Sequence, residues 1–222
     1  MTEAERDGSA SHAGDSASCA SVPLRAEHTI AALSPATDGD FWVFGYGSLM
    51  WNPGFAHVET RHAVLPGFHR RFCIRSTIYR GTPKQPGLVL GIDAGGECNG
   101  IAFRVTAAQR ADVIQYLYAR EMRNHVYTPT WVSVLIDGSA HEALTFVVKR
   151  DHLQFTCLPE SETASIIASC SGQNGSNYEY LENTVRALHS LGVPDPDLDL
   201  LHERVRQLRD ESGCAPADCT LN

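Results

Sequence analysis

The sequence predicts an α+β fold. Short apolar runs separated by Gly, Pro and Asn clusters fill residues 41–148, and the last third changes to helical periodicity. Strands first and helices last is the order expected when helices are segregated from a sheet rather than alternating with it. Domain boundaries follow from composition. Residues 1–39 are rich in Ala, Ser, Asp, Glu and Gly without periodicity, so burial cannot offset their ordering entropy, and they read as a disordered tail. The folded domain is expected over residues 40–210, with a short carboxyl-terminal tail over 211–222.

The domain opens with Phe41-Trp42-Val43-Phe44-Gly45-Tyr46, an apolar, aromatic run ended by Gly47-Ser48, as in a buried strand that runs into a tight turn. Strands are expected at Ala63–Leu65, Phe68–Ile74, Leu88–Ile92 and Ile101–Val105, each bounded by turn residues. Thr106 can cap a helix from Ala107 to about Met122, with Val113, Ile114 and Leu117 as its apolar stripe. Two more strands, Tyr127–Ile136 and Glu142–Val148, flank an Asp137-Gly138 turn. Helices are expected near residues 161–171, 178–191 and 197–210, the second stopped by Gly192 and Pro194. No repeat of solenoid length is present.

Composition excludes several classes of function. Of 222 residues, 43% are hydrophobic and 20% charged, enough apolar content for a core. The formal net charge is −8 and no basic stretch interleaves with aromatics, so nucleic acid is not an expected partner. No run is long and apolar enough for a membrane span, and no basic start precedes an apolar stretch; a cytoplasmic protein away from membranes is expected. The seven cysteines, Cys19, Cys73, Cys98, Cys157, Cys170, Cys214 and Cys219, form no CxxC pair and read as reduced thiols. His57, His62 and His69 lack metal-site spacing, and the nucleotide-loop, serine-hydrolase and zinc-peptidase signatures are missing, so no metal and no cofactor is expected. No apolar stripe is left spare, which fits a monomer.

Four places could carry chemistry. Tyr46-Gly47-Ser48-Leu49 ends the first strand, where glycine lets a ligand approach the backbone and successive N–H groups can form an anion-binding nest; an ordinary strand-to-loop turn reads the same way. Glu121 follows Ile114 and Leu117 by seven and four residues, so a carboxylate ends the stripe that faces the core. Burial and the carboxyl end of the helix dipole both raise its pKa, which suits a proton carrier near neutral pH; the alternative is a salt bridge to Arg75 or Arg120. Strand alternation over Arg70–Thr77 sets Arg71, Cys73 and Arg75 on one side and Arg70, Phe72 and Ile74 on the other, so a basic group faces either a pocket or an ion pair. Lastly, Asn177 suits a helix N-cap and Tyr180 either presents its hydroxyl to a pocket or packs at the core edge. Cys73 as a thiol nucleophile is a weaker alternative, since no histidine stands in recognisable relation to it.

In this order the segments Phe44–Trp51, Arg70-Arg71-Phe72, Ser76–Pro83, Pro86–Leu90, Tyr116-Leu117 with Arg120-Glu121-Met122, and Gly175–Leu181 closely resemble the ChaC family of glutathione-specific γ-glutamylcyclotransferases. The resemblance runs from about Phe41 to about Leu208. It implies a small mixed β-barrel flanked by helices and an enzyme that cleaves glutathione into 5-oxoproline and cysteinylglycine. It further implies that Tyr46, Gly47, Ser48 and Leu49 bind the γ-glutamyl moiety, that Glu121 is the acid/base, and that Tyr180 touches the substrate; Arg75 is taken as a supporting contact. The sequence departs from the family at Met122-Arg123-Asn124-His125-Val126-Tyr127, where the best-known members have Lys-Gly-Gly-Tyr. That departure bears on substrate breadth, and a cyclotransferase for other γ-glutamyl compounds, or a binding domain of the same fold, stays open at this point.

Overall fold

A computed structural model describes residues 33–35 and 38–212. The tails expected over 1–39 and 211–222 lie mostly outside the described residues. At the edge of the first, Leu33 is fully buried in a cluster with Phe41, Val105 and Leu117.

The core is a closed mixed barrel. Its strands are β1 (Phe41–Gly45), β2 (Glu59–Ser76), β3 (Gly87–Val105), β4 (Tyr127–Ile136) and β5 (Ser139–Val148), in the order β1-β3-β2-β4-β5. β1 closes it by pairing antiparallel with β3 (Val43 opposite Phe103) and parallel with β5 (Val43 opposite Leu144). With neighbours on both sides, β1 is apolar on both faces, which explains its unalternating sequence.

Four expected strands merge into two. The runs 63–65 and 68–74 are both parts of β2, and 88–92 and 101–105 are both parts of β3, paired from Glu59 opposite Arg104 to Ser76 opposite Gly87. Pro66-Gly67 marks a register shift, with Gly67 at φ 81° and Gly95 and Gly96 across the ladder at φ 110° and 68°. These breakers bend a long strand pair around the barrel without ending it. A second shift between Phe72 and Ile74 breaks the expected two-sided alternation: Phe72, Cys73 and Ile74 are all buried, the last two in a cluster separate from Phe72. The Asp137-Gly138 turn is as expected, with both residues at positive φ (49° and 79°), the twist a two-residue hairpin needs.

The helices are α1 (Arg110–Glu121), α2 (Glu160–Ser169), α3 (Asn177–Ser190) and α4 (Pro196–Glu211). Thr106 and Gln109 form a capping box on a single 3-10 turn that leads into α1. Val113, Ile114 and Leu117 bury α1 against one side of the barrel. The other three helices pack on one another, and α2 and α3 pack on β3. α3 ends in a Schellman motif: Gly192 at φ 72° donates to His189 O and Val193 to Leu188 O at 3.0 and 3.1 Å. Among the described residues no helix is long and apolar enough to cross a membrane.

The expected cap of α3 is one residue off. Ser176 is the N-cap, its hydroxyl accepting from Glu179 N at 3.1 Å. Asn177, fully buried, accepts from Leu88 N at 2.6 Å and donates to Leu88 O at 2.7 Å. A carboxamide carries the same donor and acceptor as a peptide unit, so it satisfies Leu88 at the start of β3 on the edge away from β2.

Arg70 ties barrel, loop and helices together. Its side chain is 1% exposed. Nε donates to Tyr46 O at 2.8 Å, the guanidinium also donates to Asn99 O, and NH1 meets Asp195 Oδ2 at 3.0 Å. Asp195 caps α4 with its other oxygen, accepting from Leu198 N. Asp195→Ala strands a buried cation and removes a cap, and is expected to cost roughly 2–4 kcal/mol in urea unfolding. Asp195→Asn keeps the cap and should recover about 1 kcal/mol of that loss.

Candidate active site

Glu121 is the last residue of α1, where helix geometry and sequence combine to bury a carboxylate. Ile114 and Leu117, on the same stripe, are 4% and 0% exposed, and the Glu121 side chain is 16% exposed. The salt bridge to Arg120 and the burial, both expected from the sequence, occur together. Arg120 Nε pairs with Glu121 Oε1 at 3.0 Å, yet burial pushes the Glu121 pKa above the ordinary carboxylate value, with Arg120 opposing by charge and hydrogen bond. The ion pair moderates the proton affinity of Glu121 without cancelling the effect of burial.

Arg120 also reaches the loop after β1. NH2 donates to Ser48 Oγ at 2.9 Å, and NH1 to Asn52 O, Pro53 O and Tyr116 Oη at 2.6, 3.1 and 3.0 Å. The loop itself is a 3-10 turn, Ser48–Met50, closed by Met50 N to Gly47 O at 2.8 Å. The N–H groups of Ser48 and Leu49 precede that first closing bond and are the ones a turn leaves for a ligand. Leu49 buries its side chain in the same cluster as α1's stripe, which holds its backbone in place. Gly47 has φ −136°, so glycine serves here for close approach and not for positive φ. A Cβ on it would lie 3.2 Å from Tyr180 Oη.

Tyr46, Gly47, Ser48, Leu49, Glu121 and Tyr180 therefore converge. With Leu90, Tyr127 and Phe146 they line an alcove of about 30 Å³, room for a carboxylate or one or two oxygen-sized groups. Three phenols surround Glu121. Tyr46 donates to Phe146 O at 2.7 Å and Tyr127 to Leu90 O at 2.9 Å, so both hydroxyl protons are engaged. Burial and the nearby Glu121 charge raise all three phenol pKa values, that of Tyr180 to about 12. They stay neutral, and Glu121 is the carboxyl of the alcove, its pKa raised from the ordinary carboxylate value by burial.

The alcove adjoins a cleft of about 560 Å³, and Ser48, Glu121, Tyr127 and Tyr180 line both. That volume suits a small peptide or metabolite. Arg75, from the end of β2, also lines the cleft but is not among the alcove residues. Tyr180 is 7% exposed, packs edge-on against Trp51 and Phe72, and lies under Arg80 at 5.3 Å. It is both a core-edge residue and a wall of the site.

Sequence reasoning missed several parts. Tyr127 reads as the first residue of a strand, and nothing local shows that it lines the alcove with Glu121. Arg120 stood only as an ion-pair partner, and its grip on Ser48 joins segments far apart in sequence. Asn174 and Gln154 come from loops that gave no signal. Asn174 is placed by a two-strand hairpin, β6 (Ser171–Gly172) and β7 (Gly175–Ser176), and donates its N–H to Tyr79 O at 2.9 Å. Cys73 is fully buried and lines neither the alcove nor the cleft, and burial pushes its thiol up to about 12, which speaks against a nucleophile.

Known proteins resemble this chain across the whole folded region. It is 37% identical over 199 residues to the glutathione-specific γ-glutamylcyclotransferase of Escherichia coli (strain K12), covering 86% of this chain and 84% of that protein. It is 33% identical over 176 residues to glutathione-specific γ-glutamylcyclotransferase 1 of Homo sapiens, covering 75% and 79%. Its fold matches the crystal structure of a yeast γ-glutamyl cyclotransferase specific to glutathione with a TM-score of 0.70 at 26% identity, over 78% of this chain and 98% of that one. The ChaC-like protein model matches residues 41–208; with that match across most of the sequence, the chain belongs to the ChaC-like family.

Proposed function

We propose that this protein is a glutathione-specific γ-glutamylcyclotransferase, releasing 5-oxoproline and cysteinylglycine by intramolecular cyclisation. The observation that carries the reading is the placing of one buried carboxyl, Glu121, at the junction of a wide cleft and a small alcove lined by Tyr46, Gly47, Ser48 and Leu49. The names of the relatives point to the same substrate.

In a γ-glutamyl peptide the α-amine can attack its own γ-carbonyl, forming the C–N bond of the lactam and breaking the bond to the cysteine nitrogen. The protein has to bend the chain, take a proton from the ammonium, steady the developing oxyanion and protonate the leaving amine. Glu121 takes and returns the proton. The N–H groups of Ser48 and Leu49, brought close by Gly47, hold the α-carboxylate or the oxyanion. Tyr46 and Tyr180 wall the alcove and exclude water, and Arg75 meets the remainder of the substrate in the cleft. The cytoplasmic, monomeric enzyme expected from sequence, its domain spanning residues 40–210, fits this chemistry.

Purified protein incubated with glutathione should yield 5-oxoproline and cysteinylglycine in equal amounts by mass spectrometry. Glu121→Gln keeps the side-chain shape and removes the base, so kcat is expected to fall by about 100-fold to 10,000-fold. Near-normal release by the folded variant sinks the assignment.

The raised pKa of Glu121 also has a stability signature. The native state holds this proton to higher pH than the unfolded chain, so the Glu121 contribution is fully present below about pH 4 and is lost as pH rises through the native value. Glutamine has no such loss. Thermal melts should therefore find Glu121→Gln more stable than the parent at pH 7.5, with the difference vanishing toward pH 4; a difference independent of pH contradicts the burial argument.

A further inference from the structure

The cleft is far more basic than the protein that contains it. The chain carries a net −8, yet the charged residues that line the cleft are Arg75, Arg80, Arg120 and Arg123 against the single carboxylate of Glu121. Two of these arginines are committed. Arg120 is held by Glu121, Ser48 and two carbonyls, and Arg80 by Ser176 O at 3.0 Å, Glu179 Oε2 at 3.4 Å and the Tyr180 ring.

Arg75 and Arg123 are different. Among the described residues neither has a carboxylate partner. The Arg75 guanidinium makes a long 3.5 Å approach to Thr156 Oγ1, and Arg123 rests against the Tyr79 hydroxyl and ring. Arg75 is nonetheless well placed: its N–H donates to Gln154 O at 2.8 Å and its carbonyl accepts from Gln154 Nε2 at 2.9 Å. The two come from separate segments, the end of β2 and the loop after α1, and line the same cleft. Positive charge of this kind in a concave site focuses the field on an anionic ligand.

We propose that Arg75 and Arg123 receive the free carboxylate at the far end of a γ-glutamyl peptide, making a terminal carboxylate beyond the scissile amide a specificity requirement of this enzyme. The inference rests on the cyclotransferase reading of the site. Such a substrate brings two carboxylates and one ammonium. The ammonium goes to Glu121 and the α-carboxylate to the Ser48 and Leu49 N–H groups, which leaves the terminal carboxylate for the open side of the cleft. Two extended residues reach at most about 7 Å, so a dipeptide leaving group spans from the alcove mouth into the cleft. Guanidinium groups suit a planar carboxylate because their N–H donors match its two oxygens.

The test compares glutathione with its glycine monoethyl ester, which has the same scissile bond but no terminal charge, in the full-length protein and in Arg75→Met, Arg123→Met and the double variant. Charge-assisted hydrogen bonds of about 1.5–3 kcal/mol correspond to about a 10-fold to 150-fold preference of the parent for the acid in kcat/KM, carried by KM. The preference should shrink in each single variant, vanish in the double variant and return in part with Arg123→Lys. An independent readout is competitive inhibition, where cysteinylglycine should bind the parent more tightly than its carboxyl-terminal amide, with the difference lost in the double variant. Equal turnover of acid and ester by the parent, or an acid-over-ester ratio untouched by the substitutions, overturns the proposal. If the parent releases 5-oxoproline from neither compound, the cyclotransferase reading itself fails, and this proposal with it.

Discussion

One guanidinium joins the parts of this site. Arg120 pairs with the carboxylate that ends α1 and, through its other nitrogens, holds Ser48 Oγ and the carbonyls of Asn52 and Pro53. The helix and the loop after β1 are far apart in sequence, and each alone would leave a charge or several carbonyls unsatisfied. Fixed to the same planar group they sit in defined register, and the alcove is the space between them. Charge-assisted hydrogen bonds in a partly buried setting are strong enough to set such geometry.

The same group accounts for the compromise at Glu121. Burial alone raises the proton affinity of a carboxylate, and a close cation alone lowers it. Here desolvation dominates and Arg120 pulls against it. The three phenols add no competing proton acceptor, because burial keeps them neutral and the Tyr46 and Tyr127 hydroxyls are bound to backbone carbonyls.

The barrel supplies the platform. β1 is bonded on both sides, so its carboxyl end delivers Tyr46 to Leu49 at one fixed place. Arg70 and Asp195 clamp the carbonyl of Tyr46 to the helical layer from behind, and Asn177 completes the start of β3 next to Leu90. The alcove is therefore lined by backbone held by hydrogen bonds to the layers behind it, which leaves little freedom for the loop from Tyr46 to Leu49.

Local periodicity and capping were enough to read the α+β class, the helices, the Asp137-Gly138 hairpin and the stop at Gly192, since each depends on side chains within a few residues. Glu121 was legible for the same reason: a carboxylate continuing an apolar stripe is anomalous on its own helix. The ordered motifs then placed Tyr46 to Leu49 and Tyr180 beside it. Pro66-Gly67 and Gly95-Gly96 were read as strand ends because bending and terminating a strand use the same residues, and only the ladder of the partner strand decides between them. Tyr127, Asn177 and the second role of Arg120 depended on contacts across long sequence separations, where a hydroxyl, an amide or a guanidinium is directed by whichever backbone the fold brings within hydrogen-bond reach. Residue types and short-range pattern were the property of the sequence; which polar group meets which was decided by closure of the barrel.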